Sequence, residues 1–119
     1  MNREFVIKEQ FNDFCADGDK ARNYLIMIVV PWIEANPDEM IVFDFDGIKR
    51  INSSFANALL GNAFALYGKD RIRIKNLREE LKTIIIAALV YGESLRHDAE
   101  HLDVAESIVQ RIKNIIGIK

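Results

Sequence analysis

Residues 40–55 read Met40-Ile41-Val42-Phe43-Asp44-Phe45-Asp46-Gly47-Ile48-Lys49-Arg50-Ile51-Asn52-Ser53-Ser54-Phe55. The nearly continuous apolar run from Met40 to Phe45 suits a central strand buried on both faces. Asp46-Gly47 turns the chain. Asn52, Ser53 and Ser54 are strong helix N-cap types. The stretch from Phe55 to Tyr67 then carries Ala, Leu and Phe almost all round, the pattern of a buried helix. Strand, turn, capped helix: this order fixes the unit from which the fold is built.

Working outward, the same alternation repeats. Glu4 to Lys8 reads as a first strand. Asp17-Gly18-Asp19 is a turn and an N-cap for a helix over 21–35, whose Tyr24, Leu25, Ile28, Val29 and Trp32 recur every three or four residues. Pro31 is expected to kink or shorten that helix. On the other side, Arg71-Ile72-Arg73-Ile74-Lys75 alternates polar and apolar, the signature of a strand with one buried face. Its charged row suits the solvent side of a strand near a sheet edge. Asn76, with Glu79 three residues on, predicts a capping box for the next helix. Gly92-Glu93-Ser94 predicts a break, followed by a last helix over about 98–116 with Leu102, Ala105, Ile108, Val109, Ile112 and Ile116 as its stripe. The order β-α-β-α-β-α-α predicts an α/β domain with mostly parallel core strands.

The chain has 119 residues, half of them hydrophobic, enough for one compact core and a single domain over 1–119. Sixteen basic and eighteen acidic residues leave a net charge of −2, which argues against a nucleic-acid binder relying on a basic surface. Cys15 is the one cysteine, so neither an internal disulfide nor a cysteine metal cluster is available. The longest apolar run, Tyr24 to Ile33, is far short of the roughly 20 residues a membrane span needs. With no signal-peptide pattern, the expectation is a cytoplasmic protein with no membrane partner. No Gly-rich phosphate loop or nucleophile elbow occurs, and no cofactor or metal is expected. His97 and His101 lie four apart on a helical stretch, but interleaved Asp98, Glu100 and Asp103 suit a solvated helix start better than a metal site.

Two features carry chemistry. The strand-end acids Asp44 and Asp46 stand two apart and point the same way on a strand. This looks like the first motif of the haloacid-dehalogenase phosphatases, in which the first carboxylate attacks phosphorus while a metal neutralises charge. The alternative expectation is therefore a small Mg-dependent phosphohydrolase using Asp44 and Asp46. The simpler role is to accept hydrogen bonds from loop amides. The second feature is the helix start at Asn52-Ser53-Ser54, with unpaired N–H groups and a partial positive charge. Phosphate there would be stabilised, Lys49 and Arg50 could pair with it, and Asp44 and Asp46 would repel it. The plain role is an N-cap.

Ile41 to Gly61, above all Asp44-Phe45-Asp46-Gly47 and Ile51-Asn52-Ser53-Ser54-Phe55-Ala56, resembles the bacterial STAS-like family of unknown function. That family is related to the STAS domains of anti-sigma factor antagonists. The resemblance covers about residues 15–91 and implies a STAS-like small mixed sheet with helices packed on it; the extra C-terminal helix lies outside the matched part. In the antagonists, an Asp-Ser-Ser-Gly motif at a helix start carries a serine that a partner kinase phosphorylates. Carried over, Ser54 takes the phospho-acceptor position, and Asn52, Ser53, Ser54 and Phe55 become partner-binding residues. Asn52 stands where that motif has Asp, and Phe55 where it has Gly. The implied function is a non-enzymatic regulatory or adaptor domain. The implied partner is an ATPase of the histidine-kinase fold or an anti-sigma factor. A third expectation is a structural oligomerisation domain that pairs through the apolar helix at Ile86 and Val90.

Overall fold

The structure is a computed structural model and describes residues 3–68 and 70–100; side chains are described to residue 97. Strand β1 (Arg3–Val6) runs into a short helix, α1 (Ile7–Phe11), and a two-residue strand, β2 (Phe14–Cys15). Helix α2 spans 18–35, followed by β3 (Ile41–Asp44) and a second short strand, β4 (Arg50–Ile51). Helix α3 spans 53–67, β5 is Ile72–Lys75, and α4 is Lys82–Glu100 after a tight turn at Glu79–Leu81. The main sheet has the order β1-β3-β5, with both pairings parallel, and β2 pairs with β4 in parallel. This is the α/β alternation that the sequence predicts.

The register puts Phe5, Phe43 and Ile74 in one row and Ile41 with Ile72 in another. These side chains share the helix-covered face, where Phe5, Ile41, Phe43 and Ile72 are buried. The opposite face carries Glu4, Val6, Val42, Asp44, Arg73 and Lys75, none of which is fully buried. The central strand is thus buried on one face only among the described residues, and the expectation of two covered faces is corrected. The reason lies in the periodicity of two: Val42 and Asp44 share a face with the charged residues of both neighbouring strands.

Helix α3 lies between α2 and α4. Phe55, Leu59, Leu60, Phe64 and Leu66 are all buried, each stabilising the fold by about 1.5–3 kcal/mol. Aromatic rings connect it to the sheet. Phe55 meets Phe11 edge-on at 4.7 Å, Phe11 meets Tyr24 at 5.3 Å, and Tyr24 meets Phe5 at 6.3 Å.

One helix expectation is refined and one needs correction. Pro31 does not shorten α2, which continues to Ala35 as the sequence predicts. Just before the proline the helix widens into a π-turn over Leu25–Val29, where the Val30 amide donates to the Leu25 carbonyl five residues back. A wide turn is one way to accommodate the ring of a proline against the preceding turn. Gly92 does not break α4 either. It is the point where α4 crosses α3: a methyl group on Gly92 would come within 2.2 Å of the Gly61 carbonyl oxygen. The glycine serves backbone contact, and the helix runs on through Glu93 and Ser94 to Glu100. The remainder of the helix expected over 98–116 lies outside the described residues.

On an open helix, Gly→Ala stabilises by about 1 kcal/mol. At this crossing the backbone clash dominates, so Gly92→Ala is expected to destabilise by about 1–3 kcal/mol. Urea unfolding of wild type and variant checks the sign; a stabilised variant means the helices do not touch there.

Candidate functional site

Two helix starts meet at one end of the molecule. The β2–β4 ladder brings them together: Phe14 pairs with Arg50 and Cys15 with Ile51, and each strand leads directly into a helix. Asp17 caps α2, its Oδ1 accepting from the amides of Asp19 at 3.0 Å and Lys20 at 3.1 Å. Asn52 caps α3, its Oδ1 accepting from the Phe55 amide at 2.9 Å. The other end of the same amide donates from Nδ2 to the Ala16 carbonyl at 2.8 Å, and the Asn52 backbone N–H donates to the Cys15 carbonyl. Asn52 therefore ties the α3 start to the loop before α2. An aspartate can cap a helix equally well, but it has no N–H for Ala16.

Ser53 and Ser54 occupy the first two positions of α3 and are exposed. Ser54 faces α2 closely: a methyl group on Gly18 would come within 2.3 Å of the Ser54 Oγ and 3.1 Å of its carbonyl oxygen. A side chain at Gly18 would crowd that hydroxyl and the carbonyl behind it. Phe55, expected at the partner surface, has its side chain in the core against Phe11. The following turn of helix needs that apolar anchor, and the surface is left to the serines.

The basic residues expected near Ser54 are placed on the ladder. Lys49 Nζ lies 3.8 Å from Asp13 Oδ2, and the Lys49 and Arg50 amides both donate to the Asp13 carbonyl. The Arg50 guanidinium sits 5.8 Å from the ring of Phe14, which is 51% exposed. Asp13, Phe14, Lys49 and Arg50 line a shallow cavity of about 230 Å³. Periodicity had no means of singling out Phe14 or of setting it beside Arg50, because the ladder that joins them pairs residues far apart in the chain. Cys15, beside them, is buried, and burial first and the charge of Asp13 second push its thiol up to about 11. At neutral pH it is an inert thiol.

The strand-end acids lie at the carboxyl end of β3. Asp44 Oδ1 accepts from the Asp46 amide and from Asn76 Nδ2, both at 2.9 Å, while its Oδ2 lies 4.0 Å from Lys75 Nζ. Lys75 also pairs with Glu4, and this hydrogen bond is the main cause of its raised pKa. Partial burial pushes the Asp44 carboxyl up, but the hydrogen bonds from Asn76 and Asp46, with the charge of Lys75, hold it below its ordinary value. Asp44 thus clamps two turns at once. Asp46 is exposed in the turn, and Gly47, at φ 78°, completes it beneath the Lys8 side chain. Asn76 is no helix cap. It has φ 60°, a conformation asparagine tolerates well, and its amide is taken by Asp44. Among the described residues, no group of three His, Cys, Asp or Glu side chains comes together to hold a metal ion. His97 is exposed on α4, and His101 lies outside the described residues.

A parallel sheet covered by helices, with a serine-bearing helix start leading out of a short strand, is an α/β fold consistent with the STAS-like class. Residues 33–82 match the family model of the STAS-like domain of unknown function. The match runs from the end of α2 through β3, α3 and β5 to the start of α4. No curated protein and no solved structure matches the chain. Among the described residues, no helix is long and apolar enough to cross a membrane.

Two predictions test this geometry. Asn52→Asp, neutral for a generic cap, is expected to cost about 1 kcal/mol through the lost bond to Ala16, measured by urea unfolding at pH 7. Unchanged stability would remove the bridging role. For Asp44, a lowered folded pKa means stabilisation that is fully present above the unfolded value of about 3.9 and is lost as pH falls through the folded value. The stability gap between wild type and Asp44→Asn is therefore expected at pH 6 and should narrow as pH falls below the unfolded value of about 3.9. A gap that does not vary with pH would rule out the charge of Asp44 as its source.

Proposed function

We propose that this protein is a non-enzymatic regulatory or adaptor domain, with Ser54 as a phospho-acceptor that switches the docking of a protein partner. The observation that carries the reading is the position of Ser54: exposed, on the second residue of a helix, with its hydroxyl against the start of a second helix at Gly18. Phosphorylation would add about −1.5 to −2 charge at that joint. The free N–H groups of the α3 start attract such a charge, while Asp17 and Asp19 at the α2 start repel it. The added group also stands beside the close approach of Gly18 to Ser54. Both effects act on the joint held by Asn52, so a small covalent change alters the surface formed by the two helix starts.

By its resemblance to anti-sigma factor antagonists, the partner is an ATPase of the histidine-kinase fold, such as an anti-sigma factor, and the setting is the bacterial cytosol. Asn52 in place of the antagonists' Asp is compatible with docking, because the asparagine is occupied in holding the joint.

Affinity purification from the native host, with intact-mass analysis of the bait, supplies the partner and tests modification. A co-purifying ATPase and a bait species one phosphate heavier, mapped to Ser54, are expected. With that ATPase purified, Ser54→Asp should weaken the complex about tenfold or more, a difference of about 1.4 kcal/mol, and Ser54→Ala should leave it intact. Equal binding by wild type, Ser54→Asp and Ser54→Ala would overturn the switch.

A further inference from the structure

We infer that Phe14 and Arg50 form the anchor of the docking face, and that the partner presents to them a carboxylate beside an apolar side chain. This deepens the reading above and rests on it, because the pair stands on the ladder that leads into the two helix starts.

Phe14 is a large aromatic with half its surface in water, on a strand whose next residue, Cys15, is buried. The Arg50 guanidinium lies over the Phe14 ring, and no carboxylate or carbonyl among the described residues pairs with it. Among the described residues, Arg22 and Arg78 have carboxylate partners and Arg71, Arg73 and Arg96 donate to backbone carbonyls, while Arg3 also lies over aromatic rings, but one of them, Phe5, is buried where Phe14 is exposed. A guanidinium held against an aromatic face loses little further freedom on binding and keeps its planar fork of donors for a carboxylate. An exposed aromatic paired with an arginine is also the composition of an interface hot spot.

The charge around the pair selects the occupant. Lys49 is the second cation lining the cavity, and its ion pair with Asp13 at 3.8 Å is loose. Asp13 lines the same cavity, and Asp17 and Asp19 stand at the α2 start that the ladder leads into. A single carboxylate is matched by Arg50, with Lys49 offsetting Asp13 in the same cavity, whereas a polyanion such as a nucleic-acid strand would add charge against Asp17 and Asp19 as well. The net charge of −2 acts in the same direction. The apolar neighbour of the carboxylate covers Phe14, whose exposed ring is the main apolar surface there.

The test uses the full chain, immobilised, to select from a phage-displayed library of random linear peptides. Enriched peptides are then synthesised and titrated against folded variants, with thermal unfolding confirming that each variant is native. Peptides carrying Asp or Glu next to an aliphatic or aromatic residue are expected. Their affinity should fall about tenfold or more with Arg50→Gln and with Phe14→Ser, as removal of a hot-spot residue does, and stay unchanged with Ile86→Ser on the outer face of α4. Arg50→Lys should restore only part of the loss, since an ammonium lacks the fork. Peptides sensitive to Ser54→Asp but not to Arg50→Gln would overturn the anchor and leave the Ser54 face standing. Peptides sensitive to neither, or only to Ile86→Ser, would overturn both. Binding of an oligothymidine probe that is lost in Arg50→Gln would overturn the protein-carboxylate assignment in favour of nucleic acid.

Discussion

Helix α3 is the constraint on which the rest of the structure depends. Between Phe55 and Leu66 its side chains are almost all apolar, and the one buried polar residue, Asn62, bonds back to the Ala58 carbonyl within the helix. Such a helix cannot face water on any side. The sheet, α2 and α4 are arranged around it, and two close backbone approaches follow from that arrangement. Gly61 and Gly92 let α4 approach backbone to backbone, and Gly18 lets the start of α2 approach Ser54. Burial of α3 thus fixes two helix crossings, and one of them lies at the candidate site.

The same constraint explains why polar chemistry gathers at the helix start. A buried helix exposes only its ends, and its first amides need partners. Asn52 satisfies one of them and reaches back to the loop before α2, so a cap becomes a joint between two helices. The serines that follow remain at the surface because Phe55, the next residue, is already in the core. A modification at Ser54 therefore acts on a junction, and the flanking ladder with Phe14 and Arg50 extends that junction into a surface wide enough to be recognised. At the sheet's carboxyl end, Asp44 holds two turns in place, and its hydrogen bonds give it a structural occupation.

The alternation of strand and helix, the buried character of 55–67, the strand at 71–75 and the caps at Asp17 and Asn52 were legible because each is a local pattern of periodicity or cap chemistry. Gly92 and Asn76 misled for a shared reason. Glycine in a helical run and asparagine before one are ordinary signals of a break and a cap, yet each is claimed here by a residue distant in sequence: Gly61 in one case and Asp44 in the other. At Pro31 the helix is distorted without being shortened, because a π-turn takes up the proline that an α-helix alone would not.

The sequence by itself determined the α/β class, the STAS-like resemblance and the position of the Asn52-Ser53-Ser54 helix start, since these rest on patterns within a few residues. Only the tertiary structure decided what that helix start touches. The parallel β2–β4 ladder joins segments about 36 residues apart (the Asn52–Ala16 separation), and no local pattern encodes which loop an amide will reach. Chain packing set Ser54 against Gly18, withdrew Phe55 into the core and placed Arg50 on Phe14, because each of these contacts follows from the way α3 had to be covered.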